Sequence, residues 1–194
     1  ITFHDAIATR YDEMVGRSIS GHRMRQKIQQ RMLRAFRPGD HVLELNCGTG
    51  IDALFLAQNR IRVTATDISP RMVEMTRSKA RSAHLEDRIL AEVRDIEEIR
   101  SIGTRPFDGI VSNFNGFNYL DSLDSLPDAL FSILKPNSLM ICTFLNKICL
   151  WEVMYFLLRL NPSQAWHRID GRADAIKSGQ NGIELRLYFP RAIM

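Results

Sequence analysis

Cysteine is scarce in this chain: three residues (Cys47, Cys142, Cys149), with no C-x-x-C among them. That excludes a disulfide-stapled scaffold and a cysteine-based zinc site, and favours a reducing, cytoplasmic setting. Long uninterrupted apolar runs are missing too. The greasiest stretch, "LMICTFLNKICLWEVMYFLL", is broken by Asn146, Lys147 and Glu152, so it reads as a strand followed by a helix and not as a membrane span. No internal repeats, low-complexity tracts or secretory signal are visible. The histidines lack ligand spacing, so no metal site is expected. His22 and His167 are at most proton acceptors, and surface residues on the plainer reading. Charge of either sign is not dominant: the net value is +4, and much of the basic excess lies in "HRMRQKIQQRMLRAFR", residues 22–37. Gln26, Gln29 and Gln30 dilute that run and no set of stacking aromatics accompanies it, so a solvated helix face is expected in place of a nucleic-acid surface.

What is present is an alternation. Met24, Ile28, Met32 and Phe36 recur every fourth residue, giving a helix that Pro38-Gly39 stops. Beyond it, strand-like and helix-like segments take turns. "HVLELN" precedes the helix "IDALFLAQN". "IRVTATD" precedes "SPRMVEMTRSKARSA", with Ser69 as N-cap and Pro70 in the first helical position. "ILAEVRD" is a third strand and "FDGIVSNF" a fourth. "DSLDSLPDALFSIL" carries Leu123, Leu126, Leu130, Ile133 and Leu134 at helical spacing, and "SLMICTFL" follows as a fifth strand. Five alternations imply an α/β fold with a doubly wound, mostly parallel sheet and helices on both faces. Ligands in such sheets bind at the carboxyl ends of the strands, which directs attention to residues 46–50, 67, 95 and 113.

At the first of these ends, Gly48 and Gly50 leave backbone N–H groups accessible ahead of a helix. "GTGIDA" satisfies a dinucleotide pattern, yet the same residues also make a plain tight turn. Asp67 ends the second strand, where a carboxylate can accept from ribose hydroxyls. Because Ser69-Pro70 already start the next helix, Asp67 is left for a ligand. Asp95 ends the third strand, either as an N-cap or as a partner for an adenine amino group. Glu44 discriminates among cofactors. A pyrophosphate is repelled by an acid inside the first strand, whereas a cofactor with a cationic end gains from it.

The set "VLELNCGTG", Asp67, Asp95 and "SNFNGF" resembles the class I S-adenosylmethionine (SAM)-dependent methyltransferases, from "FHDAIATRYDEMV" to "ILKPNSLMICTFLN". Asn46 departs from the usual first glycine, but asparagine tolerates left-handed backbone better than most residues. The resemblance implies a Rossmann-like methyltransferase fold preceded by N-terminal lid helices, with Tyr11 on the lid. It implies that Glu44 holds the methionine ammonium and that Asn46, Cys47, Gly48 and Gly50 line the amino-acid and ribose portion, with Cys47 a small filler. Asp67 takes the ribose hydroxyls, with Ile68 against adenine, while Asp95 and Ile96 grip the adenine edge. Asn113 and Phe114 lie beside the sulfonium. Methyltransferases acting on base amines resemble one another in an Asn/Asp-Pro-Pro-Tyr/Phe motif that "SNFNGF" lacks, so the expected acceptor is a small molecule and no nucleic-acid partner is expected. Tyr119, Trp151 and Tyr155 are candidates for the acceptor wall, although core packing is the plainer reading of most of that last helix. The alternatives are an NAD(P)-dependent oxidoreductase on a similar sheet, which leaves Glu44 unexplained, and a non-catalytic SAM-binding module.

The expected organisation is one domain over 1–194, with N-terminal helices (1–38), a cofactor core (39–146) and an acceptor-side segment (147–194). After the polar stretch that starts at Asn161, "IELRLYF" is one further strand, and the family's final strands are expected to be missing.

Overall fold

A computed structural model describes residues 5, 8, 11–12, 19–102, 106–120, 123, 126–146 and 150–160. The predicted alternation is realised as α1 (Ile19–Ala35), β1 (His41–Leu45), α2 (Ile51–Gln58), β2 (Arg62–Asp67), α3 (Pro70–Ser82), β3 (Ile89–Val93), β4 (Phe107–Ser112), α4 (Leu126–Ile133), β5 (Leu134–Cys142) and α5 (Leu150–Leu158). The strands form one sheet in the order β3-β2-β1-β4-β5, and every pairing is parallel. Chain order reverses between β1 and β4, so the loops leaving these two strands run in opposite directions and open the crevice where ligands of doubly wound sheets sit.

β1 is central, and its Val42, Leu43 and Leu45 are buried between β2 and β4 neighbours such as Val63, Ala65, Ile110 and Val111. Such a strand is covered on both faces and reads as a near-continuous apolar run. Glu44 in its middle therefore sits in the core. α1 packs on α2 and α2 on α3, whereas α4 packs against the 3-10 turn Ile96–Ser101 that replaces a full helix between β3 and β4.

The chain divides into two compact units, residues 1–113 with 124–142, and residues 114–123 with 143–194. In the second, Asn118 is fully buried and brackets Leu145, donating from Nδ2 to the carbonyl at 3.2 Å and accepting from the N–H at 2.9 Å. Phe117 stacks on Phe144 with ring centroids 5.5 Å apart.

Several expectations are corrected. Met24 does not lie in the core stripe of α1. It is 43% exposed, and Arg25 is buried in its place above Ile28, Met32 and Phe36. β5 begins at Leu134, before the Lys135-Pro136-Asn137 step, with a register shift against β4 between Phe107 and Gly109 and Asn137 at φ 62°. Leu134 thus belongs to a strand, and the strand ends at Cys142. α5 does not supply core packing: Leu150, Trp151, Met154 and Leu158 are all more than half exposed. The readings of Cys149, His167, "NPSQAWHRIDGRADAIKSGQNG" and "IELRLYF" lie outside the described residues.

Candidate active site

The loop after β1 is shaped by backbone conformation. Asn46 (φ 55°), Gly48 (φ 55°) and Gly50 (φ 77°) all adopt left-handed geometry, which explains both the glycines and the tolerance of asparagine at the first place. The turn closes through Gly50 N–H to the Cys47 carbonyl at 3.0 Å and is tied to β2 by Cys47 N–H to Thr66 O at 2.9 Å. Thr76, fully buried on α3, donates to Gly48 O at 3.0 Å. Cys47 is a buried filler whose thiol is pushed well up by burial, then by the Glu44 and Asp67 charges, and so is no nucleophile.

Glu44 lies at the floor of this loop, 3% exposed. Burial raises its carboxyl well above the ordinary range, Asp52 and Asp67 raise it further, and Arg25 and the Ala53 N–H oppose them. Its Oε2 has no hydrogen-bond partner among the described residues. The same holds for Asn46 Oδ1 in the loop and for Ser112 Oγ at the end of β4. Unsatisfied buried acceptors cost free energy. Here they surround the point where the strand order reverses, and their chemistry fits a cationic donor such as an ammonium.

Asp67 is where the sequence placed it, but it is not left solely for a ligand. Its Oδ2 accepts from Gly48 N–H and its Oδ1 from Ser69 N–H, each at 2.9 Å. Ser69 does cap α3, accepting from Met72 N–H at 3.1 Å. Replacing Asp67 with alanine therefore loosens the glycine loop as well as removing an acceptor. The expected result is a roughly ten- to hundredfold loss of donor affinity together with a melting temperature lower by several degrees, read by calorimetry and thermal unfolding. An affinity loss at unchanged melting temperature would show that the two backbone bonds contribute nothing.

Asp95 is the N-cap of the 3-10 turn, accepting from Glu97 N–H at 3.0 Å. Ile96 beside it is buried, while Ile68 after β2 is 43% exposed. Asn113, 8% exposed at the end of β4, donates from Nδ2 to Asp52 Oδ2 at 2.9 Å. Tyr11 lies over the loop, its Cε1 3.8 Å from where a Gly48 side chain would begin. Phe114 (φ 53°), Tyr119, Trp151 and Tyr155 fall in the second unit. There Arg159 stacks over the Tyr155 ring at 4.8 Å, and Trp151 is 76% exposed.

Sequence reasoning missed two groups. The first lies at the N-terminal segment, where Asp5, Ala8, Tyr11 and Asp12 are helical. Asp12 accepts from Thr49 Oγ1 and pairs with Lys79, both at 2.5 Å, and Asp5 accepts from Ser69 Oγ at 2.5 Å. These contacts hold Asp12 against the glycine loop and α3, and Asp5 against the start of α3. The second is a buried pair, Arg25 with Asp52 at 2.6 Å, joined by Gln29. The other cations of the 22–37 run are exposed, as expected. Among the described residues no acidic, histidine or cysteine cluster could hold a metal ion, and no helix is long and apolar enough to cross a membrane.

Known proteins resemble this chain in sequence and in fold. Residues 42–137 match the family described as methyltransferase domain. The chain is 33% identical over 115 residues to the S-adenosyl-L-methionine-dependent Diels-Alderase iccD of Talaromyces variabilis, covering 59% of this chain and 38% of that protein. It is 28% identical over 147 residues to the demethylmenaquinone methyltransferase of Symbiobacterium thermophilum, covering 74% and 57%. The chain thus spans about half the length of these relatives or less. A solved S-adenosylmethionine-dependent methyltransferase from Clostridium acetobutylicum superposes with a TM-score of 0.64 at 19% identity, covering 99% of this chain and 85% of that one, which shows the fold. With its matched domain, its sheet order and its glycine loop between Glu44 and Asp67, the chain belongs to the class I SAM-dependent methyltransferases.

Proposed function

We propose that this domain transfers the methyl group of SAM to a small-molecule acceptor in a cytoplasmic setting, and that nucleic acid is not its substrate. One observation carries the reading: a buried carboxyl within the central strand, Glu44, whose Oε2 lacks a partner among the described residues. A nicotinamide cofactor would bring phosphate to that oxygen, whereas SAM brings an ammonium. Glu44 and Asn113 take the methionine end, the 46–50 loop and Asp67 the ribose, and Asp95, Ile96 and Ile68 the adenine. The N-terminal segment with Tyr11 excludes water. Tyr119, Trp151 and Tyr155 serve as apolar and aromatic surface for the acceptor, which the protein need only align with the methyl carbon and relieve of a proton.

SAM supplies an already activated sulfonium methyl. Glu44, Asn113, the 46–50 loop and Asp67 would hold it, and it would give its methyl to an acceptor lone pair and leave as S-adenosylhomocysteine. Calorimetry should give micromolar affinity for SAM and S-adenosylhomocysteine and no heat with NADH. Tight NADH binding without SAM binding would reverse the assignment. The name of the Talaromyces relative favours a second reading, in which bound SAM supports a cyclisation and no methyl is transferred. Mass spectrometry on a metabolite panel separates the two, because only methyl transfer adds a methylene to the product and yields S-adenosylhomocysteine.

A further inference from the structure

Asp52 stands in the first turn of α2 yet is only 2% exposed, and three donors from two other elements converge on it. Arg25 Nη1 lies 2.6 Å from Oδ2, Asn113 Nδ2 2.9 Å from Oδ2, and Gln29 Nε2 2.8 Å from Oδ1. An aspartate needed only to favour the start of a helix would do so at the surface with none of these partners. The cluster instead ties α1 to both chain segments that leave the switch point, the glycine loop leading into α2 and the end of β4. A carboxylate can only accept, so the Asn113 amide must present its Nδ2 to Asp52, and its carbonyl is turned the other way. Arg25 meanwhile offsets part of the Asp52 charge, which burdens the neighbouring Glu44. The unpartnered Glu44 Oε2 is the independent sign that this floor awaits a donor.

We propose that Arg25 and Asp52 are positioning residues of the donor cleft, the ion pair setting the Asn113 carboxamide so that its carbonyl and the Glu44 carboxylate together grip the amino-acid end of SAM. The inference rests on the donor reading above and adds residues to it. Neither Arg25 nor Asp52 touches the cofactor in this role. They act through Asn113 and Glu44.

The test compares two probes by calorimetry, S-adenosylhomocysteine and 5′-methylthioadenosine, the second lacking the amino-acid chain. Asp52→Asn removes the charge with little change of shape, and the double variant Arg25→Gln/Asp52→Asn leaves no unpaired buried charge, which keeps a folded protein available. Both are expected to weaken S-adenosylhomocysteine about tenfold or more and methylthioadenosine by less than about twofold. Arg25→Lys, which keeps the charge, should lose less than Arg25→Gln. Wild-type protein that binds both probes, with variants that lose both equally or lose neither, would overturn this inference alone. Wild-type protein that binds neither would overturn the donor reading and this inference with it.

Discussion

Glu44→Gln is expected to raise the melting temperature of the ligand-free protein while weakening SAM about a hundredfold. The two effects have one cause. Burial holds the Glu44 carboxyl well above its ordinary range, reinforced by Asp52, opposed by Arg25 and reinforced again by Asp67. The folded protein therefore keeps a proton that the unfolded chain has already released. Between the ordinary value and the raised one, wild-type stability falls as pH rises, and below both it is unaffected. Glutamine removes that penalty, so the melting-temperature gap between variant and wild type should widen from mildly acidic to neutral pH. Binding runs the other way. An ammonium needs the carboxylate, so wild-type affinity should climb with pH over the same window. About one proton should leave per donor bound, detected as a dependence of calorimetric heat on the buffer's ionisation enthalpy. The variant should show neither. A variant that is less stable at every pH and binds SAM normally would mean that Glu44 is a structural carboxylate.

The strand ends were readable because chain order and side-chain pattern are both local. The run "HVLEL" can only be a strand buried on two faces, and an acid within it announces itself. Asp67 was half legible. Its position follows from the β2 run, but its bonds to Gly48 and Ser69 depend on how two loops meet in space. Arg25 shows why the rest was hidden. Met24 stands four residues and Arg25 three residues before Ile28, so either spacing fits the buried face of α1, and hydrophobicity alone assigns the core to methionine. What reverses the choice is Asp52, distant in sequence, whose charge rewards burying the arginine. Asp52 was visible only as a filler letter in "GTGIDA". The aspartates of the N-terminal segment were equally opaque, since Ser69, Thr49 and Lys79, the partners of Asp5 and Asp12, lie 37 to 67 residues away in sequence and meet them only in the folded chain. In α5 the pattern located a helix and could not reveal that Trp151 and Leu158 stay exposed.

Gly50→Ala should be the most destabilising single methyl that the cleft can receive. A side-chain carbon there would lie 2.6 Å from both Thr76 Cγ2 and Oγ1 and 2.9 Å from Thr76 Cβ, well inside contact distance. Thr76 cannot retreat cheaply, because it is fully buried and its hydroxyl holds Gly48 O. The left-handed backbone at Gly50, φ 77°, adds about 1–2 kcal/mol for any residue with a Cβ. Overpacking adds about 1–3 kcal/mol, for a total of about 2–5 kcal/mol and a displaced loop that binds the donor at least about tenfold more weakly. Thr76→Ala removes two of the three clashing atoms while giving up the hydroxyl's contacts with Gly48 O and Cys47 Sγ, at about 1–2 kcal/mol. In a double-mutant cycle measured by denaturant unfolding, the pair should therefore be less destabilised than the sum of the single changes, with a coupling of about 1–2 kcal/mol. The strain of the positive φ remains in the double variant, so full recovery is not expected. Strict additivity would show that Thr76 is not what makes glycine obligatory, and that the cost of the methyl lies wholly in the backbone turn that aims the loop at the end of β1.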